Sequence, residues 1–118
     1  MNMRDFSELV GMSPYTLRYY EKIGLLKNIQ RNGSGHRTYS RKDVEWVGFI
    51  KRLKETGMSL EKIQEYAALR ELGPQSLFKR QVILESHREK LKLHIEQQRN
   101  HLMALENKIT LYNDGKVS

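Results

Sequence analysis

Residues 13–22 read Ser-Pro-Tyr-Thr-Leu-Arg-Tyr-Tyr-Glu-Lys, and this stretch predicts a helix that presents one face to a ligand. Ser13 is a favoured residue for an N-cap, and Pro14 suits the first helical position. If Leu17 and Tyr20 face the core, the other long side chains of the helix point outward. These outward residues are Tyr15, Thr16, Arg18, Tyr19 and Lys22.

The outward side chains are of the kinds that bind nucleic acid. Tyr15 and Thr16 lie in the first turn, which is where a recognition helix touches base edges. Arg18 offers a bidentate fork and Tyr19 a hydroxyl, and both suit phosphate oxygens. A neighbouring pair of tyrosines is more often core packing, which we accept for Tyr20 but not for Tyr19.

The flanking segments predict a winged helix-turn-helix. A shorter helix, roughly Arg4–Val10, stops at Gly11, and a three-residue turn leads into the next helix. Further along, the turn Asn32–Gly35 joins two short extended stretches, around Asn28–Arg31 and Arg37–Tyr39. A hairpin that directly follows a helix-turn-helix is a wing.

Two more helices complete the first part of the chain. Ser40, followed three residues later by Asp43, opens a third helix that ends at Gly57, and Ser59 caps a fourth helix over Leu60–Leu72. Residues 1–72 are therefore expected to form one DNA-binding domain. The side chains expected to face inward are Val44, Trp46, Val47, Ile50, Leu53, Leu60, Ile63, Tyr66 and Ala67.

The last part of the chain predicts a single long helix that pairs with a second copy. Residues 75–113 contain neither Gly nor Pro, and their apolar residues recur every seven positions, as in a coiled coil. A small domain cannot bury such a seam, so we expect a homodimer, with 114–118 as a tail. Gln81, Arg88 and Gln98 interrupt the seam. The apolar members expected to hold the dimer together are Leu84, Leu91, Ile95, Leu102, Leu105 and Ile109.

The charge favours a polyanionic partner. The 118 residues include 21 Lys and Arg against 14 Asp and Glu, a formal net charge of +7. Residues 1–58 hold 11 of these basic side chains and 6 of the acidic ones, and Leu26–Lys42 holds five basic residues and no acid. Such a run is often only a solvated surface, but beside a Gly-rich turn it favours a loop that follows phosphates. We expect double-stranded DNA.

Several classes of protein are excluded. The sequence contains no Cys, so it offers no disulfide, zinc ribbon or thiol nucleophile. No run approaches the 18 to 20 apolar residues, roughly, of a membrane-spanning helix, and the first ten residues do not resemble a signal peptide, so we expect a cytoplasmic protein. No carboxylate pair or nucleophile–base set suggests an enzyme, and no cofactor or metal is expected.

Many positions together resemble the MerR family of transcriptional regulators, across about residues 4–72. The matching motifs are Leu17-Arg18-Tyr19-Tyr20-Glu21, Gly24-Leu25-Leu26, Arg31, Gly35-His36-Arg37, Tyr39-Ser40, Asp43-Val44, Phe49-Ile50 and Gly57-Met58-Ser59-Leu60. The resemblance implies a winged DNA-binding domain followed by a long helix that pairs antiparallel with its mate. It also implies a dimer that distorts a promoter with an overlong spacer, so that RNA polymerase can engage both promoter elements.

Carried over by position, the resemblance assigns four residues of this sequence. Arg18 and Tyr19 would contact DNA from the helix, Arg37 would contact a phosphate from the wing, and Tyr39 would hold the wing on the domain. His36, where the family commonly has Tyr, would lie beside the wing contact.

The signal that the protein would sense is left open. The resemblance implies that metal and redox sensing in the family use cysteines, which this sequence lacks, and that drug sensing uses a separate C-terminal domain. Only six residues follow Tyr112, so we expect a small effector at the helix junction, another cue, or no effector. Tyr66, Phe78 and Tyr112 are the candidate pocket residues, although core packing is the simpler interpretation of each.

His87, His94 and His101 recur at seven-residue spacing on one flank of the seam. Neighbours in this row lie about 10.5 Å apart on one helix, too far to share a metal. A solvated flank is the plain interpretation, and a pH-sensitive dimer is the alternative.

Two other kinds of protein fit the same features. One is a coiled-coil adaptor with an incidental basic loop, which sequence-selective DNA binding would exclude. The other is an architectural DNA-binding protein without a polymerase role, which transcription in vitro would distinguish.

Overall fold

The computed structural model describes residues 1–117, and it is mainly helical. Its contacts divide the chain into two compact units, residues 1–80 and the residues from Gln81 onward. The expected winged helix-turn-helix and long final helix are both present, so the predicted fold class is confirmed. In chain order the elements are α1 (Met3–Val10), α2 (Pro14–Lys22), β1 (Gln30–Arg31), β2 (Arg37–Thr38), α3 (Arg41–Glu55), α4 (Leu60–Glu71), a 3-10 turn (Gly73–Ser76) and α5 (Leu77–Asn113).

The helices begin where their caps predict. The side chain of Ser13 accepts a hydrogen bond from the backbone of Thr16 at 3.1 Å and so starts α2. Ser40 and Asp43 form a reciprocal capping box at the start of α3. Gly11 ends α1 in the left-handed conformation, with φ of +70°, which glycine adopts without steric strain.

The core of the first unit lies where α1 packs against α2 and α3, and where α3 packs against α4. Phe6, Leu17, Val47, Ile50 and Ile63 are completely buried there. Three residues expected to face inward are only half-buried, namely Val44, Trp46 and Leu60.

Trp46 lies at the edge of this core because its ring bridges several elements. Its indole nitrogen donates a hydrogen bond to the carbonyl of Leu25 at 2.7 Å, and that polar group would be unsatisfied deeper inside. The guanidinium of Arg70 covers the ring face in a cation–π contact, with its central carbon 4.0 Å from the ring centroid. Arg70 itself is exposed to solvent. Helical periodicity shows which side of a helix is buried, but it does not show that a residue on that side lies at the edge of the core.

The wing strands are shorter than expected. β1 and β2 pair antiparallel, with Gln30 opposite Thr38 and Arg31 opposite Arg37. The expected first strand began at Asn28, but Asn28 has φ of +59°, a left-handed conformation that asparagine tolerates and a strand excludes.

The second unit consists mainly of α5, whose 37 residues include none that is fully buried. Its predicted seam is open to solvent: Ile95, Leu102, Leu105 and Ile109 are about half exposed, and Leu84 and Leu91 are less so. Among residues 1–117, no helix combines the length and the apolar character that crossing a bilayer would require.

The start of α5 depends on Ser76, which the sequence did not single out. Ser76 is 2% exposed, and its hydroxyl donates to the carbonyls of Leu69 and Gly73. The same oxygen accepts a hydrogen bond from Arg80 at 3.0 Å. The 3-10 turn thus delays the helix to Leu77, two residues later than expected, because Ser76 ties the turn to the end of α4.

Replacing Ser76 with alanine should lower the free energy of unfolding by about 1–3 kcal/mol, since buried partners lose their hydrogen bonds. Urea unfolding followed by circular dichroism measures this. Ser86→Ala, on the exposed surface of α5, is the matched control and should change stability by less than about 0.5 kcal/mol. Equal stability of the two variants would contradict this account of the junction.

Candidate nucleic-acid interface

One face of α2 is buried and the opposite face is open to solvent. Leu17 is completely buried and Tyr20 is 2% exposed, whereas Tyr15 is 79% and Tyr19 is 44% exposed. Arg18 and Lys22 are also exposed, and Thr16 is half-buried. The helix therefore divides its inward and outward residues as the spacing predicts.

The first turn of α2 is locally fixed. The hydroxyl of Ser13 donates to the hydroxyl of Thr16 at 3.0 Å and also caps the backbone of that residue. The Thr16 hydroxyl can still donate its own proton to a ligand. Tyr15, beside it, extends into solvent.

The tip of the wing is held by its own hydrogen bonds. The side chain of Asn32 accepts from the backbone amides of Ser34 and His36, at 3.0 and 3.1 Å. Arg31 donates to the carbonyl of Gly35 at 2.8 Å, and Gly35 has φ of +80°. His36 is thus exposed at the tip of an ordered hairpin. One basic residue, Arg31, uses part of its guanidinium to hold this hairpin.

An ion pair joins the wing to α2. The Nε of Arg37, on β2, contacts both carboxylate oxygens of Glu21 at 2.8 and 3.1 Å. This contact raises the pKa of Arg37, first through the hydrogen bond and then through the opposite charge, so the guanidinium remains charged. Because these contacts use Nε, the two Nη groups of Arg37 keep donors for a second anion.

Tyr39 positions the wing from inside the domain. Its ring stacks face to face on Phe6 of α1, with centroids 4.2 Å apart and planes 6° from parallel. Tyr39 is only 3% exposed, and among residues 1–117 its hydroxyl has no hydrogen-bond partner. The residue therefore lies behind the surface that carries Arg37, and not on it.

The charges around Tyr39 show which predicted residues come together. Burial is the main cause of the raised pKa of Tyr39, and the carboxylate of Glu21 raises it further. Arg37 and Arg18 both act in the opposite direction on this hydroxyl. The two arginines, one from the wing and one from α2, are therefore both near enough to this hydroxyl for their charges to affect its pKa.

The segment that forms α2, the wing and the start of α3 is strongly cationic. Residues 12–42 hold seven Lys and Arg and a single acid, Glu21, whose side chain is only 26% exposed. The exposed basic residues are Arg18, Lys22, Lys27, Arg31, Arg37, Arg41 and Lys42. Such a surface can neutralise a row of phosphates, while the outward first turn of α2 can reach base edges.

The three candidate effector residues have different surroundings. Tyr66 is buried against the rings of Trp46 and Phe49. Phe78, at the start of α5, is 78% exposed, and Tyr112 is 63% exposed. A shallow, open depression of about 450 Å³ lies along α1, and its lining of Met1, Asp5, Glu8 and Leu9 includes none of the three.

Glu21 belongs to the candidate site through its contact with Arg37, and the sequence alone does not point to that contact. No local pattern shows that an acid in α2 meets an arginine 16 residues later. The sequence does contain one indication of this role, since Glu21 is the one acid within the basic segment 12–42.

Among residues 1–117, no three His, Cys, Asp or Glu side chains are grouped as a metal site requires.

Comparison with known proteins identifies the family. The model described as "MerR HTH family regulatory protein" matches residues 1–69, and the model described as "MerR, DNA binding" matches residues 44–110. The chain belongs to the MerR family. This confirms the resemblance, and it makes the protein a member of a family of regulators and not of enzymes.

Relatives match nearly the whole chain. An HTH-type transcriptional regulator of Haemophilus influenzae is 36% identical over 111 residues, which are 94% of this chain and 82% of that protein. A Listeria monocytogenes structure assigned to the family has a TM-score of 0.90 at 36% identity, over 96% of this chain and 86% of that one. HiNmlR, described as a MerR family regulator lacking the sensor domain and solved with promoter DNA, has a TM-score of 0.87 at 34% identity, covering 98% and 91%.

Removing the Tyr39 hydroxyl should stabilise the MerR fold of this chain. Tyr39→Phe keeps the stack on Phe6 and removes a buried polar atom without a partner, so the free energy of unfolding should rise by roughly 1 kcal/mol at neutral pH. Tyr39→Ala, which removes the stack, should lose about 3–5 kcal/mol. A Tyr39→Phe variant less stable than the wild type would show that the hydroxyl has a stabilising partner.

The same substitution has a predicted pH dependence. Since the folded-state pKa of Tyr39 is raised above 10.0, the native state retains a proton that the unfolded chain releases, and stability falls as the pH rises beyond about 10. Tyr20, raised by burial, acts in the same direction. Chemical unfolding between about pH 9 and 11 should show that the free energy of unfolding falls less with pH in Tyr39→Phe than in the wild type. Parallel losses would contradict the raised pKa.

Proposed function

We propose that this MerR-family chain regulates transcription by binding promoter DNA as a homodimer. The observation that carries the proposal is the outward face of α2, bordered by Arg37 of the wing and almost free of acidic groups. HiNmlR, which is 34% identical and has been solved on promoter DNA, supports it. In a bacterial cell such DNA lies in the cytoplasm, which is where this function requires the protein to be.

Each residue of the candidate site has a role that follows from its position. Tyr15 and Thr16, in the first turn of α2, reach base edges in the major groove. Arg18 and Tyr19, one turn later, bind phosphates, and Lys22 adds charge at the end of the helix. At the wing, Arg37 binds a phosphate through its Nη groups beside His36. Tyr39 holds the wing in place from behind.

The homodimer follows from the open seam of α5. Its apolar side chains recur every seven residues and are half exposed in one chain, and covering each is worth up to about 1.5–3 kcal/mol. We therefore assign residues 1–72 to DNA binding and residues 75–113 to an antiparallel coiled coil. Two chains would bring two recognition helices to a pseudo-palindromic site.

The family suggests how binding would control transcription. The dimer would twist and bend a promoter whose spacer is too long, so that RNA polymerase can engage both of its elements. A small effector would shift this balance, and Tyr66, Phe78 and Tyr112 remain our candidates for contacting it. No cofactor enters this mechanism.

Single substitutions at the interface should weaken binding selectively. Arg18→Ala and Arg37→Ala each remove a phosphate contact, so the dissociation constant for the operator duplex should rise by roughly tenfold or more. Fluorescence anisotropy at fixed salt measures this. Arg70→Ala removes an exposed arginine that lies over Trp46 in α4, and it should change the dissociation constant by less than about threefold.

The salt dependence provides a second readout of the same variants. Each lost phosphate contact should make the slope of log K against log salt less negative by about 0.9. An Arg70→Ala variant that lost as much affinity and slope as the other two would overturn the proposed DNA face.

The mode of regulation is tested with promoters that differ only in spacer length. Transcription in vitro should respond to the protein on a promoter with an overlong spacer, and this response should disappear when the spacer is shortened to the usual length. Binding without any effect on transcription from either promoter would favour an architectural role.

A further inference from the structure

The tip of the wing contains the dipeptide Asn32-Gly33, in which an asparagine side chain can react with the backbone of the next residue. The nitrogen of Gly33 attacks Cγ of Asn32, and Nδ2 leaves as ammonia together with the proton of the Gly33 amide. Water then opens the cyclic succinimide. The net change exchanges ammonia for water and turns a neutral amide into a carboxylate, without an oxidant or an enzyme.

We propose that Asn32 is a site of spontaneous deamidation, and that the folded wing promotes this reaction and is damaged by it. The chemistry stands on the geometry of the turn alone. Its consequence for DNA binding rests on the function proposed above, because the wing is part of the proposed DNA surface.

Two backbone amides hold the oxygen on which charge develops during the reaction. The side-chain oxygen Oδ1 of Asn32 accepts hydrogen bonds from the N–H groups of Ser34 and His36, at 3.0 and 3.1 Å. When the nitrogen of Gly33 attacks Cγ, this oxygen becomes negatively charged, and donors fixed in advance stabilise such a charge as they do in an oxyanion hole. The wing therefore lowers the barrier to closing the ring.

The attacking nitrogen is accessible. Gly33 is exposed, and a Cβ added to it would meet no atom within 4 Å. Within residues 1–117 its backbone N–H makes no hydrogen bond, so solvent can remove the proton that has to leave. Since glycine has no side chain, Gly33 also places no carbon against the ring that forms.

Of the six asparagines in the chain, Asn32 alone precedes a glycine. Asn28 is equally exposed, but it precedes Ile29, whose branched Cβ crowds the nitrogen that would attack. Three others precede backbone nitrogens that donate to helical carbonyls, namely Asn100, Asn107 and Asn113. Asn28 is therefore an internal control, four residues before the reactive position.

The two products change the wing differently. Attack of water at Cγ gives an ordinary aspartate, which adds a negative charge and leaves the backbone as it was. Attack at the backbone carbonyl gives isoaspartate, in which the main chain runs through Cβ and Cγ and gains a methylene. This longer chain no longer fits the turn that the amide of Asn32 closes on the carbonyl of His36, at 2.9 Å.

Both products weaken the proposed interface. Each places a carboxylate at the tip of a wing whose basic residues approach phosphates, so the new charge repels the DNA. Isoaspartate also distorts the hairpin that carries Arg37, which is paired with Arg31 across the two strands. Deamidation therefore converts the protein with time into a weaker DNA-binding form.

The chemistry is measured on the full chain without DNA. The purified protein is incubated at mildly alkaline pH, sampled over days and digested with trypsin, which separates residues 28–31 from residues 32–37 by cutting after Lys27, Arg31 and Arg37. Mass spectrometry should show that fragment 32–37 gains the mass difference between water and ammonia, while fragment 28–31 does not change. A fragment 32–37 of unchanged mass would overturn the proposal.

The contribution of the wing is measured by the same incubation in guanidinium chloride, which removes the hydrogen bonds to Oδ1. The folded chain should react at least about threefold faster than the unfolded chain, because only the folded chain holds the two donors in place. Slower reaction in the folded chain would show that the turn protects Asn32, and it would overturn the promoting role of the wing.

Gly33→Ala is the matched control variant. Its added Cβ lies in open space and the φ of Gly33 is outside the left-handed region, so the unfolding midpoint should not change. Because this Cβ crowds the attacking nitrogen, the reaction should slow roughly tenfold. An equal rate in the two chains would contradict attack by the nitrogen of Gly33.

The consequence for binding is measured by fluorescence anisotropy at fixed salt, with a duplex selected from random sequences by the fresh wild-type chain. The aged wild type should bind with a dissociation constant raised roughly tenfold, since the distorted wing loses a phosphate contact. Gly33→Ala incubated alongside should keep its affinity. Asn32→Asp adds the charge without the methylene and should raise the constant by about two- to fivefold.

The remaining outcomes separate this inference from the function on which it rests. A fresh wild-type chain that selects no duplex would overturn DNA binding, while the mass measurement would still decide the chemistry. An aged chain that is fully deamidated at Asn32 and binds as tightly as the fresh one would overturn the damage to the interface.

Discussion

The stack of Tyr39 on Phe6 is the contact on which the geometry of the interface depends. It joins the end of the wing to α1, two segments that are 33 residues apart, through a pair of nearly parallel buried rings. Because α1 packs against α2 as well, the stack fixes the hairpin relative to the recognition helix. The ion pair between Glu21 and Arg37 then sets the orientation of a side chain on a hairpin that is already in place.

Local signals in the sequence predict most of the fold. Ser13, Ser40 and Ser59 mark three helix starts and Gly11 and Gly57 two stops, because capping depends on a few adjacent residues. The inward and outward residues of α2 follow from a period of 3.6 residues for the same reason. The length of α5 is predicted almost as well, because the stretch contains neither Gly nor Pro, the two residues that most often end a helix.

What the sequence did not predict depends on contacts between distant segments. Asn28 shortens the first strand through its own backbone conformation, Trp46 stays at the edge of the core to reach the carbonyl of Leu25, and Ser76 ties the 3-10 turn to α4. At the candidate site, Glu21 acquires its role only when the wing folds back on α2. Each of these depends on a partner or a torsion that no periodic pattern encodes.

The ion pair at Arg37 gives the wing a fixed orientation of its guanidinium in addition to a positive charge. One edge of the guanidinium is occupied by Glu21, so the plane of the group and the direction of its two outer nitrogens are fixed before any ligand arrives. A lysine at this position would carry the same charge, but its ammonium is a compact point charge with no flat face to divide between a carboxylate and a phosphate. Two chains with identical net charge could therefore differ in how sharply they locate a phosphate along the duplex.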